Sequence, residues 1–172
     1  DERVTVKHLG IQEVERLAGM KELQQVRVLG MPADAELLRA LGASAHARNI
    51  GRLTIYPESG KEVEAEVVEA LIAALGMERR GVRKLEMHGV QMGAAEVARI
   101  GNAGSGWQRL AIEEAGIGDA GAQALAEAPI GGVTELWLRE NGITAAGVAA
   151  LVHGEGTRGV RDLDLGKNAV EE

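Results

Sequence analysis

The sequence predicts an α/β fold: a curved solenoid of about seven strand-turn-helix units, with a parallel sheet on the concave face and helices on the convex face. Three observations carry that expectation. Pairs of apolar residues at i and i+2 recur at Val4/Val6, Val26/Val28, Leu53/Ile55, Leu85/Met87, Leu110/Ile112, Leu136/Leu138 and Leu163/Leu165, in steps of 22, 27, 32, 25, 26 and 27 residues. Alternation of this kind marks a strand with one buried face. A further apolar residue stands three positions ahead of six of these pairs, at Leu23, Ile50, Val82, Trp107, Val133 and Val160. The 24 glycines are spread along the chain, as a turn recurring at intervals requires.

A helical pattern follows each strand. In order, these are Ile11, Val14 and Leu17; Leu37, Leu38 and Leu41; Val63, Val67, Val68, Leu71, Ile72 and Leu75; and Val97 with Ile100. The third is the longest and accounts for the 32-residue step. The last two are the clearest, "AGIGDAGAQALAEA" and "NGITAAGVAALVHG", in which Ile117 matches Ile143, Gly121 matches Gly147 and Leu125 matches Leu151. Thr144 is placed to cap the last helix, its hydroxyl accepting from an N–H of the first turn. Many of these helices are alanine-rich, so neighbours can approach closely. One such unit cannot bury its apolar side alone; stacking units in line makes a continuous core. The expectation is a single domain over residues 1–172, with repeats starting near 1, 23, 50, 82, 107, 133 and 160. The first residue is Asp1 and the chain stops at "NAVEE", where another helix would begin, so a fragment of a longer protein is expected.

Composition narrows the function. With no Phe and only three other aromatics, the core must be aliphatic. A net charge of −7 and a pI near 5.2 argue against a surface built to neutralise phosphate, whether of nucleic acid or of an anionic membrane. There is no cysteine for a disulfide or a thiolate metal site, no apolar run of membrane-spanning length, no signal-peptide layout at the start and no glycosylation sequon. An intracellular, cytoplasmic protein is expected.

Strand residues alternate between faces. If the apolar pairs point inward, the open sheet face carries Arg3, Gln25, Arg52, Lys84, Arg109, Glu135 and Asp162 in a first row and Thr5, Arg27, Thr54, Glu86, Ala111, Trp137 and Asp164 in a second. A third row holds Lys7, Leu29, Tyr56, His88, Glu113, Arg139 and Gly166. This face reads as basic over the first five units and acidic over the last two, a polarity that would orient a partner. Trp, Tyr and Arg are the residue types most often found at binding hot spots. The expected partner-binding residues are therefore Trp137, Tyr56, Arg139 and Arg109, with Glu113, Glu135, His88, Glu86, Lys84, Arg52 and Asp164 around them. Tyr56 and Trp137, three strands apart, should be roughly 14 Å from each other. Trp107 falls at a framework position and is expected in the core.

No enzyme emerges. Gly116, Gly118 and Gly121 spell G-x-G-x-x-G, with Glu140 about 20 residues on, as in a dinucleotide site. Yet Gly118 aligns with Gly93 and Thr144, and Gly121 with Gly147, whereas a phosphate cradle should occur once. Ser44, Ser59 and Ser105 show no triad spacing with His8, His46, His88 or His153, and no second histidine lies at metal spacing from His88. Glu113 and Glu114 would face opposite sides of a strand. No cofactor, metal, nucleic acid, membrane or small-molecule substrate is expected.

The frame L-x-x-L-x-L-x-x-N-x-I in "VTELWLRENGITAAGVAAL", repeated in "VRDLDLGKNAV", resembles leucine-rich repeats, and "GIGDAGAQALAEA" is similar to the helix-bearing, ribonuclease-inhibitor-like class. The resemblance covers the last three units well, the fourth moderately, and the first three in periodicity alone. It implies a protein partner on the concave face. The class includes the Ran GTPase activator and bacterial effectors delivered into host cells, so regulation of an enzyme such as a GTPase is the alternative role and the host cytosol an alternative setting. It also implies that the frame asparagine satisfies backbone groups at the turn between units. Here only Asn141 and Asn168 fill that position; its equivalents are Ala115, Val90, Glu58, Met31 and Leu9.

Overall fold

The computed structural model describes residues 4–6, 11–57, 66–76, 81–103 and 106–170. Among them, seven strands form one sheet in chain order: β1 (Val4–Val6), β2 (Val26–Pro32), β3 (Arg52–Tyr56), β4 (Lys84–His88), β5 (Arg109–Glu113), β6 (Glu135–Trp137) and β7 (Asp162–Asp164). Every neighbouring pair is parallel. Parallel strands cannot be joined by a tight turn, so each connection must return the chain to the same end of the sheet, and a helix does this. The helices are α1 (Ile11–Gly19), α2 (Ala35–Ala43), α3 (Glu66–Gly76), α4 (Ala94–Ala103), α5 (Gly118–Glu127) and α6 (Ala145–His153). Each packs against the next in chain order, which makes a second layer over one face of the sheet. The protein is an α/β structure with one parallel sheet.

The expected alternation is present in β3 and β4. Leu53, Ile55, Leu85 and Met87 are buried, while Arg52, Thr54, Tyr56, Lys84, Glu86 and His88 are half-buried on the opposite face. In register, Leu53, Leu85, Leu110, Leu136 and Leu163 lie side by side, so the core is a column of leucines under the helices. Around it pack Ile50, Val97, Ile100, Leu125, Leu151 and the framework Trp107, which is 3% exposed. Each fully buried aliphatic side chain of this kind contributes roughly 1.5–3 kcal/mol.

The second strand departs from the sequence reading. Its partners on β3 are Leu29 for Leu53 and Met31 for Ile55, not Val26 and Val28. Leu29, expected on the open face, and Met31, expected at the asparagine position, are both fully buried, whereas Val28 is half-buried in line with Arg52. Gln25 and Arg27 therefore leave the rows of the sheet face. Arg27 instead donates to the carbonyls of Gln24 and Asn49. The segment VRVLGMP contains two overlapping apolar alternations, and three residues of slip move between them. Where β1 meets β2 the register shifts by one residue between Val4 and Thr5.

Local signals account for the helix starts. The Asp34 carboxylate accepts from the Leu37 N–H at 2.9 Å to open α2, and the Glu96 carboxylate accepts from the Gly93 N–H at 3.0 Å ahead of α4. Thr144 caps α6 as expected, its hydroxyl accepting from the Ala146 N–H at 3.2 Å. The remaining helical residues keep Leu37, Leu38, Leu41, Val67, Val68, Leu71 and Leu75 inside. Arg3, Lys7, Leu9, Glu58 and Val63 lie outside the described residues.

Candidate functional site

The face of the sheet away from the helices is built from three register rows. The first runs Val28, Arg52, Lys84, Arg109, Glu135, Asp162, and the second Gly30, Thr54, Glu86, Ala111, Trp137, Asp164. His88 and Glu113 stand side by side in the third row, with Tyr56 and Arg139 at the same end of their units. All eleven expected partner-binding residues are half-buried, neither enclosed in the core nor fully in water.

Trp137 is the centre of this surface. It belongs to β6 between the buried Leu136 and Leu138, so alternation turns its indole to the open face. The Arg109 guanidinium lies 4.0 Å from the ring centroid, a cation–π distance. Arg109 is held from both sides. It donates to Glu86 at 3.2 Å and to Glu135 at 2.5 Å, and its side chain is only 15% exposed. Ala111, between Glu86 and Trp137 in register, is fully buried although it belongs to the open face, so larger neighbours roof it.

The expected polarity of the face is largely neutralised from within. Arg52 pairs with Glu86 at 3.5 Å, Lys84 with Glu135 at 3.8 Å and Arg139 with Asp164 at 3.5 Å, while Nδ1 of His88 lies 3.4 Å from the Glu113 carboxylate. Thr54 also donates its hydroxyl to Glu86 at 3.0 Å. Burial works against the Arg109 cation, but its bonds to Glu135 and Glu86 outweigh that and hold its pKa above the ordinary value. The same bond from Arg109 keeps the Glu135 carboxyl below its usual range, against a smaller opposing effect of burial.

Asparagine contacts run between neighbouring units at the carboxyl ends of the strands. The Asn141 side chain accepts from the Ala115 N–H at 3.0 Å and donates to the Ile112 carbonyl at 2.6 Å. Asn168 accepts from the N–H groups of Asn141 and Ile143 and donates to the carbonyls of Leu138 and Leu165. A second link, not foreseen, comes from Asp119 in α5. Its carboxylate accepts from the Thr144 N–H at 2.8 Å, the Thr144 hydroxyl at 2.8 Å and the Gly147 N–H at 3.0 Å, so it caps the helix of the next unit. The only sequence signal for this is the 25-residue offset between Asp119 and Thr144. Thr144 and Gly147 hold the Asp119 carboxyl below its ordinary value of 3.8.

In the G-x-G-x-x-G stretch Gly116 and Gly118 hold left-handed backbone at φ 66° and 57°, and the third glycine, Gly121, is required by packing. A Cβ on Gly121 would lie 2.5 Å from Cβ of Ile117, and one on Gly147 would lie 2.7 Å from Cγ2 of Ile143. The two positions do the same job in successive units. Among the described residues, no cluster of three or more His, Asp or Glu is arranged to hold a metal, and no helix is long and apolar enough to cross a membrane.

Two depressed carboxyls give a pH dependence with a defined sign. Near their ordinary values of 3.8 and 4.5, folded Asp119 and Glu135 bind fewer protons than they do in the unfolded chain. Their stabilisation is therefore complete at neutral pH and is lost as the pH falls through that range and below. The urea midpoint should drop steadily on acidification, and Asp119→Asn should flatten the slope. An unchanged slope in that variant would remove Asp119 as a contributor.

No protein-family model matches the chain, and no curated protein matches it.

Proposed function

We propose that this chain is a leucine-rich-repeat solenoid of the ribonuclease-inhibitor-like class, acting without catalysis as a protein-interaction module that grips a protein partner with its concave sheet face. The in-order parallel sheet, the single helical layer and the asparagine contacts between units support the architecture. The observation that carries the function is Trp137, a large aromatic kept on the open sheet and braced by Arg109. A half-exposed Trp fixed by a charged frame loses little conformational freedom on binding, which is what a hot spot needs. Tyr56 is the second anchor, and the paired charges between the two fix the partner's register. An intracellular setting goes with the resembled class.

The test is Trp137→Asp. A photo-crosslinker at position 139 identifies the partner, and its affinity for the variant is then measured by calorimetry. Affinity should fall about 30-fold or more, the size of a hot-spot loss, with circular dichroism and melting temperature preserved. A partner that binds the variant as well as the parent chain would refute the site.

A further inference from the structure

The charges of the sheet face are not equally satisfied. Over β3 to β7 it carries four cations, Arg52, Lys84, Arg109 and Arg139, against five carboxylates, Glu86, Glu113, Glu135, Asp162 and Asp164. Every cation has a carboxylate partner within the face. Asp162 is different: it is exposed, its register neighbour on β6 is another carboxylate, Glu135, and among the described residues its side chain has no ion-pair or hydrogen-bond partner. Trp137 stands beside these carboxylates, with Asp164 as its own neighbour on β7.

We propose that the sheet face docks its protein partner through a basic segment, with a Lys or Arg side chain seated against Trp137 and the carboxylate of Asp162. This rests on the reading of the sheet as a protein-binding surface, and it names the partner's chemistry. An acidic segment would have to compete for Arg109 with the two carboxylates that already hold it, and for Arg52 with Glu86. Among the described residues, a cation meets no competitor at Asp162. It also meets an indole whose attraction for a guanidinium is displayed by Arg109 at 4.0 Å. Adjacent strands are about 4.8 Å apart and alternate residues about 7 Å apart, so one long basic side chain spans from Asp162 to the Trp137 ring.

The experiment uses defined peptides and the whole chain. An alternating glycine–arginine octapeptide and its glycine–glutamate counterpart are titrated while the Trp137 indole N–H is followed by NMR, assigned with Trp137→Phe. The arginine peptide should shift this resonance saturably and the glutamate peptide should not. Asp162→Asn should weaken the arginine peptide about fivefold. Glu36→Gln, which removes the same charge from an exposed position of α2, should leave it nearly unchanged. Equal weakening by both variants would mean only general attraction to an acidic protein and would overturn the proposal. So would a Trp137 shift from the glutamate peptide instead, or self-association of the chain that moves the same resonance without peptide. Those last two results would leave the sheet-face reading standing. That reading fails separately, if the crosslinked partner binds independently of residue 137.

Discussion

Replacing Asn141 with leucine is expected to destabilise the protein by about 3 kcal/mol, although the two side chains are of similar size. Asn141 is 2% exposed and occupies the turn where one unit meets the one before. Its amide closes two backbone groups, the Ala115 N–H and the Ile112 carbonyl. Leucine could pair with neither. Each buried polar group left open costs roughly 1–3 kcal/mol, and no apolar gain offsets this because the side chain faces main chain. For a domain of this size, that is a fall in melting temperature of about 10 °C. Asn141→Asp should also destabilise, since it keeps an acceptor for Ala115 but loses the donor to Ile112. Asn168→Leu should cost less despite four bonds, because its half-buried position lets water take over the abandoned groups. A leucine variant at 141 that melts with the parent would show that the asparagine contact is dispensable.

A single methyl group at Gly156 is expected to have a comparable effect. After α6 the chain passes over the end of α5, and the Gly156 N–H donates to the Ala126 carbonyl at 2.8 Å. A Cβ there would run into the carbonyl oxygen of Ala128 and lie 2.8 Å and 3.0 Å from those of Leu125 and Ala126. All three are backbone atoms, so no side chain can swing aside; the loop must lift off and stretch its hydrogen bond. Gly156→Ala should therefore cost about 2–3 kcal/mol, at the upper end for overpacking. Gly131→Ala is the matched control, because a Cβ there meets nothing within 4 Å. Its urea midpoint should match or slightly exceed that of the parent chain. Equal midpoints for the two variants would mean that the close approach at Gly156 is relaxed in solution.

The parallel sheet was readable because β3 to β7 carry one unambiguous apolar alternation each, flanked by charged residues that cannot be buried. β2 was misread because Val26, Val28, Leu29 and Met31 offer two alternations, and composition cannot choose between them. One clue favoured the observed register: Val26 stands three residues before Leu29, as Ile50 stands before Leu53. Trp137 was legible as an outward residue for the same reason that Leu136 was legible as an inward one. The neutralisation of the face was harder to see, because Arg109 reaches diagonally between Glu86 and Glu135 on separate strands and a linear reading shows only a run of basic residues followed by acidic ones. The Asp119 cap was invisible to local rules. A cap is ordinarily sought within three residues of the helix start, and this one arrives from 25 residues earlier.

Four successive turns place a residue in the left-handed backbone region, Gly89 (φ 63°), Glu114 (φ 55°), Glu140 (φ 55°) and Lys167 (φ 59°). Glycine holds that shape without cost, and the first turn uses it; the other three accept about 1 kcal/mol each to keep a long ionic side chain there. Lys167 and Glu140 meet at 2.6 Å, one bridging to the next along the lip of the sheet. The lip is thus an exposed, charged border beside the Trp137 surface, kept at the expense of backbone ease.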